Sequence, residues 1–245
     1  MDSGYYAACT ALVSRAQSLD TIANNLANAS TIGYRSEKNL FSSILADAGS
    51  TNGTALNKAI NSFGILSGTS LDLTQGALQK TGNDMDVAIQ GSAFFVVQTE
   101  DGPMYTRNGS FQVSGKGILV TGNGDPVMGD RGEIPILHGH ISISQDGTIS
   151  SNGAIAGKLR LVDFPPGTHL ASAGNNYYSA PPDTETDATD STVNQGVLEA
   201  SNVNAVTCMA ELVNAQRTAE MMQKAMSMFN SELDKTATQD LPKVG

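Results

Sequence analysis

The residues able to do chemistry are few and scattered. His138-Gly-His140 would put two imidazoles on one face of a strand, a spacing that could begin a zinc or copper site. No Cys and no third His stands near them in sequence. Asp84, Asp86, Asp125 and Asp130 could surround calcium, but their spacing does not match an EF-hand loop, and aspartates are common in turns. The glycines between Gly115 and Gly124 are flanked by strand-like runs and open no helix, so the helix N-terminus that cradles a phosphate is missing. No Gly-x-Ser-x-Gly elbow is present. Asp84 and Asp86 form a poor acid pair for attack on a cell-wall glycan. Cys9 and Cys208 lie at opposite ends of the chain on apolar helical faces, where a small buried hydrophobe is the simpler reading. These residues argue against an enzyme, and they call for no metal and no cofactor.

The elements around them say more. In 245 residues, 5% are aromatic and none is Trp, so a core must rest on small aliphatic side chains. The net charge of −10 sits in the middle. Residues 61–200 carry six basic and fifteen acidic groups, against four and four in 1–60 and four and five in 201–245. That balance lacks the basic footprint of nucleic-acid binding or of docking on an anionic membrane. No apolar run is long enough to span a bilayer, so membrane insertion is not expected. The N-terminus shows no cleavable signal peptide.

Both ends read as helices with heptad seams. From Ala205, Leu212, Ala219, Met226 and Leu233 recur every seven residues, and Cys208, Ala215, Met222 and Phe229 form the offset series. Four heptads without proline or glycine make roughly 40 Å of helix. Ser201 or Asn202 is placed to cap it. Residues 4–30 carry a matching stripe of Tyr5, Leu12, Leu19 and Leu26, with Cys9, Ala16 and Ala23 between them. A two-in-seven seam favours a partner helix over a broad core, so the two ends are expected to pair in a coiled-coil-like unit.

Between the ends the apolar period changes to two. Short runs such as Val87-Ala-Ile89 and Ala93-Phe-Phe-Val-Val97 alternate with turn signals such as Asn108-Gly109, Gln145-Asp-Gly147 and Asn152-Gly153, the pattern of an antiparallel all-β domain. The fold class is therefore α+β. The expected organisation is a terminal helix over 1–35, a linker or arm over 36–75 with mobile Ser/Thr/Asn/Gly clusters, a central β domain over 76–200 and a C-terminal helix over 201–245.

Particular residues resemble a known family. Asn24-Asn25-Leu26-Ala27-Asn28 with Thr31, Gly33, Tyr34 and Arg35 resembles the N-terminal signature of the bacterial flagellar axial proteins that build rod and hook. Asp86, Gly91, Tyr105, Arg107 and Gly109 resemble their central β domain. Glu199, Ser201 and Asn202, then Arg217 and Glu220, resemble the start of their C-terminal helix. The chain departs from the family pattern at Ala219, where an aromatic is usual, and at Asn230, where Asp is usual.

The resemblance implies a non-enzymatic subunit that polymerises, with itself and other rod subunits, into a hollow helical shaft transmitting torque through the periplasm-spanning basal body. It implies export through the flagellum's own export apparatus. The short arm and compact length favour the proximal rod over the distal rod. Leu12, Ala16, Leu19, Ala23, Leu26, Leu212, Ala215, Met222, Met226 and Phe229 are the expected helix-pairing and assembly residues. Asn24, Asn25, Asn28 and Gly33 are expected to set where the first helix stops and how the arm leaves it. The competing reading is a secreted adhesin or binding module with oligomerising terminal helices.

Overall fold

The computed structural model describes residues 2–42, 65–137 and 139–239. The part of the expected arm over 43–64, and His138, lie outside the described residues. In chain order the described elements are helix α1 (Asp2–Ala27), nineteen strands, and helix α2 (Ala205–Gln239). The chain clusters into two compact units. The β unit comprises Ala27–Ser36 and Ser70–Asn204, and the helical unit comprises Met1–Leu26, Glu37–Thr69 and Ala205–Gly245.

The β unit is antiparallel at every described strand pairing, as closely spaced strands with tight turns require. Its largest sheet has six strands, centred on β5 (Phe94–Thr99) paired with β6 (Gly102–Thr106) and β14 (Leu161–Asp163). The run Ala93-Phe-Phe-Val-Val97 is continuously apolar because β5 is covered on both faces. Ala93, Phe95 and Val97 enter one core cluster with Val87, Ile89, Phe111, Leu119, Ile134 and Leu159, while Phe94 and Val96 enter a second with Tyr105, Val162, Phe164 and Tyr178. Each cluster holds an edge-to-face ring pair, Phe95 with Phe111 at 5.0 Å in the first and Tyr105 with Phe164 at 4.9 Å between centroids in the second.

Asn152-Gly153 makes a two-residue hairpin loop between β12 (Thr148–Ser151) and β13 (Ala154–Lys158), with φ of 52° and 83°. Those two left-handed positions explain the Asn-Gly pair. Around Gly147, Asp146 accepts the Thr148 amide and hydroxyl, which closes the preceding turn and holds its exposed carboxyl below the usual range.

The helical ends correct the expectation from the heptads. The architecture is mostly β with two helices, and a paired, coiled-coil-like helix unit is not shown among the described residues. The buried stripe of α1 is Ser14, Ser18, Thr21 and Asn25, while Ala16 and Ala23 are exposed and Leu12, Leu19 and Leu26 are half-buried. The physical reason is a competing partner for the polar stripe. Strand β1 (Glu37–Ser42), paired with β2 (Ile65–Leu71), presents polar groups to α1. Asn39 Nδ2 donates to Ser18 Oγ at 3.3 Å, and Thr21 Oγ1 donates to Asn39 Oδ1 at 3.0 Å. Asn25 donates to the Glu37 carbonyl at 2.8 Å and accepts the Glu37 amide at 2.9 Å.

On α2, Ala205, Cys208, Leu212, Ala215, Ala219, Met222 and Met226 are half-buried, and the side chain of Phe229 lies outside the described residues. Val206, Met209, Val213, Met221 and Met228 are exposed. Neither residue expected to cap α2 does so, since the helix begins at Ala205. Asn202 instead crosslinks the β unit.

Candidate functional site

Ionic chemistry concentrates where the N-terminal segment and the segment before α2 meet inside the β unit. After α1, Asn28 turns the chain. Its carbonyl accepts the Thr31 amide and its side-chain oxygen accepts the Thr31 hydroxyl, each at 3.1 Å. Gly33 follows at φ +68°, where a Cβ would stand 2.5 Å from the Arg107 carbonyl carbon, so only glycine fits. Its amide donates to the Glu199 carbonyl at 2.7 Å. Tyr34 is buried, and Asn24 is exposed on α1.

Arg35 and Arg107 are both 1% exposed, and so is the one carboxylate that both approach, that of Glu199. Arg35 Nη2 lies 2.7 Å from Glu199 Oε1 as an ion contact without hydrogen-bond alignment. Arg107 Nη1 donates to Oε2 at 3.3 Å. Gly76 N donates to Oε1 at 2.8 Å. One further Nη of each guanidinium meets a carbonyl, Thr74 O for Arg35 and Gly91 O, at 2.6 Å, for Arg107. Arg107 also stacks 4.9 Å over the Phe94 ring. The Nε atoms of both arginines have no hydrogen-bond partner among the described residues.

Two cations on one anion in a dry site leave a surplus positive charge, and Arg107 responds to it. Desolvation first, then the Arg35 charge, lower its pKa to about 10, against the pull of Glu199 and Asp163. Tyr178 supports the cluster from below, accepting the Arg35 amide at 2.9 Å and donating to Asn176 Oδ1 at 3.2 Å. Asn176 in turn donates to the Ile32 carbonyl at 2.6 Å.

The other family-motif residues serve the same junction or lie apart from it. Gly91 and Gly109 let backbones meet closely, since a Cβ on Gly109 would stand 1.6 Å from the Val87 carbonyl oxygen. Asp86 is buried, accepting Asn83 Nδ2 at 3.1 Å and, through its carbonyl, the Gly196 amide at 2.7 Å. Tyr105 donates to Glu185 at 3.0 Å, and burial together with that carboxylate raises its pKa to about 12. Ser201 Oγ accepts the Val203 amide at 3.2 Å, and Arg217 and Glu220 are exposed on α2. Arg35, Arg107 and Glu199 all stand among the motif residues of the sequence, but nothing in it foretold that the three meet. Arginine-Ser-Glu after a turn reads equally well as a solvated segment, and no spacing rule links position 35 to 107 and 199.

The aspartates considered for calcium do not converge. Asp86 belongs to the Asn83 turn and Asp125 accepts Tyr177 Oη at 2.7 Å. No group of three or more His, Cys, Asp or Glu close enough to hold a metal occurs among the described residues. A cleft of about 650 Å³ between β9 (Met128–Gly129) and β14 mixes Asp130, Asp146 and Asp187 with Lys158 and Arg160, and Arg160 makes a half-buried bridge to Glu185 at 2.7 Å. No helix described is long and apolar enough to cross a membrane.

An antiparallel scaffold whose buried charges join chain segments rather than face a substrate defines a structural protein. Comparison with known proteins agrees. Residues 6–35 match the family described as flagella basal body rod protein, residues 88–151 the flagellar hook protein FlgE/F/G D1 domain, and residues 194–239 the flagellar basal body rod FlgEFG protein C-terminal region. The flagellar basal-body rod protein FlgF of Caulobacter vibrioides is 34% identical over 249 residues covering all of both chains. FlgF of Escherichia coli is 35% identical over 93% of this chain and 94% of its own. FlgG of Buchnera aphidicola from Acyrthosiphon pisum is 34% identical over 92% and 95%. The chain belongs to the flagellar basal-body rod protein family. It is a structural rod subunit and not an enzyme, the matches support the proximal-rod type, and nothing in them supports the adhesin reading.

Proposed function

We propose that this subunit polymerises with itself and with other rod subunits into a hollow helical shaft that carries torque across the periplasm, and that it reaches its place through the flagellar export apparatus. The observation that carries the assembly reading is the apolar surface left on the helical ends. Val206, Met209, Val213, Met221 and Met228 of α2 are 47–78% exposed, and Leu12, Leu19 and Leu26 of α1 are half-buried. Such a surface fits neighbouring subunits better than solvent. Head-to-tail contacts whose rotation does not close produce a helical filament. In this reading Leu12, Ala16, Leu19, Ala23, Leu26, Leu212, Ala215, Met222, Met226 and Phe229 contact helices of neighbouring subunits, and the acidic β unit faces solvent.

The test is Leu19→Asp or Leu212→Asp in the motile bacterium. The expected result is loss of incorporation into the basal body with the β unit still folded by circular dichroism. Normal motility and incorporation of the variant would sink the reading.

A further inference from the structure

Glu199 holds three other stretches of chain at once. Its carbonyl takes the Gly33 amide at 2.7 Å, its Oε1 takes the Gly76 amide at 2.8 Å and meets Arg35 at 2.7 Å, and its Oε2 meets Arg107 at 3.3 Å. Three residues on, Asn202 repeats the pattern. Its Oδ1 accepts the Ser36 amide at 2.8 Å, and its Nδ2 donates to the carbonyls of Asp72 at 2.8 Å and Thr74 at 3.1 Å. The Asp72 amide donates to the Ser36 carbonyl at 2.8 Å. The stretches bound in this way, 33–36 and 72–76, flank the points where the chain leaves the β unit after Ser36 and re-enters it at Ser70.

Apolar packing does little to hold those stretches. Tyr34 is buried, but neither core cluster contains a residue from 27–36 or from 72–80. Leu73 is 45% exposed and Leu78 40% exposed. What fixes them is largely polar: Tyr178, Asn202 and the Gln75–Ile89 bond hold them beside the carboxylate, and the charged contacts converge on Glu199. Arg107 keeps other partners if that carboxylate leaves, namely the Gly91 carbonyl and the Phe94 ring, both in the β core. The Arg35 guanidinium keeps only the carbonyl of Thr74, which lies on the stretch that would itself come away, while the Arg35 amide stays on Tyr178 Oη.

We infer that Glu199 is a latch. Its charge pins the connecting stretches 33–36 and 72–76 to a β core that stays folded without them, so these stretches open as one local unit when the latch is lost. Local opening units of this kind are drawn from regions with few buried apolar contacts. Breaking one partner out of a buried ion cluster strands the remaining charge, and replacing the partners by apolar groups relieves it. The inference concerns the chain's own fold and does not rest on rod assembly.

Amide hydrogen exchange on the full chain tests it. In Glu199→Gln, a near-isosteric change that removes the charge and turns one acceptor oxygen into a donor facing donors, the Gly33, Ser36, Asp72 and Gly76 amides should exchange faster by on the order of 100-fold. The paired amides of β5 and β6 should keep their protection. A double variant, Arg35→Met with Glu199→Met, removes the stranded cation on the opening side and should restore at least about tenfold of the lost protection at Gly33, Ser36 and Asp72, whose acceptors it keeps. The latch is refuted by unchanged exchange at the four amides in Glu199→Gln. It is equally refuted by a loss of protection that spreads alike through β5 and β6, or by a double variant no better than the single one.

Discussion

Asn25 gives the sharpest test of why α1 buries a polar face. Its side-chain amide makes the two hydrogen bonds that a neighbouring strand would make, donating to the Glu37 carbonyl at 2.8 Å and accepting its amide at 2.9 Å, and Asn25 itself is 7% exposed. Asn25→Ala removes both bonds and leaves the Glu37 amide and carbonyl to find water. At about 1 kcal/mol net for each bond, and more where the stranded group stays dry, the expected loss is about 1–3 kcal/mol. Read locally, that is roughly 5- to 150-fold faster exchange of the Glu37 amide. Asn25→Asp separates the donor from the acceptor. At neutral pH the carboxylate still accepts the amide but faces the Glu37 carbonyl with a second lone pair, so this variant should be at least as damaged as Asn25→Ala.

Protonation would restore the missing donor in Asn25→Asp. The folded state therefore raises the new carboxyl's pKa, and the stabilisation from its proton is complete below about pH 3.9, the unfolded value, and is lost as pH rises through the raised folded value. Exchange at Glu37, corrected for its intrinsic pH dependence, should thus slow in Asn25→Asp on acidification and stay fast in Asn25→Ala. If the two variants behave alike at every pH, or if Asn25→Ala leaves Glu37 as protected as before, the helix is not held by this amide and the polar-stripe argument fails.

Two further outcomes follow from the β core. Phe95→Ala empties a fully buried site facing Phe111 at 5.0 Å and should cost about 3–5 kcal/mol in denaturant unfolding, with a double-mutant coupling to Phe111 of about 0.5–1.5 kcal/mol. Tyr105 holds its proton more tightly folded than unfolded, with a pKa raised from 10.0 to about 12, so its contribution is complete below pH 10 and is lost as pH rises towards 12. Arg107 shifts in the opposite sense over an overlapping range, so the comparison that isolates Tyr105 is wild type against Tyr105→Phe, which should lose one late-ionising tyrosine in an absorbance titration.

Much of the β unit was legible because its signals are local. Asn152-Gly153 marks its own hairpin, and the unbroken run over Ala93–Val97 announces a strand covered on both sides. The helical ends were misread because a seam of leucine and alanine states a preference for an apolar partner without saying whether one exists in the same chain. Ser14, Ser18, Thr21 and Asn25 lie at helical spacing as regularly as the leucines do, but small polar residues on a helix read as a solvated face until Asn39 and the Glu37 backbone supply their partners. The buried cluster was illegible for a related reason. Arg35, Arg107 and Glu199 stand in turn-rich segments more than seventy residues apart from one another, and nothing in their neighbours marks them as dry.

The two faces of α1 solve one problem between them. A helix that used its leucines to fold would have none left for another chain, and a helix with no internal partner would be marginal in water. By bonding its serine, threonine and asparagine stripe to β1, α1 gains order from groups that water could equally have satisfied, so the net gain is small and the helix stays easy to adjust. The leucine and alanine stripe remains only partly covered. The β unit works the other way, with its apolar side chains consumed internally and its fixed points made by charges. Order is thus cheap to rearrange at α1 and firm in the β unit, the division that the proposed assembly through the helices would use.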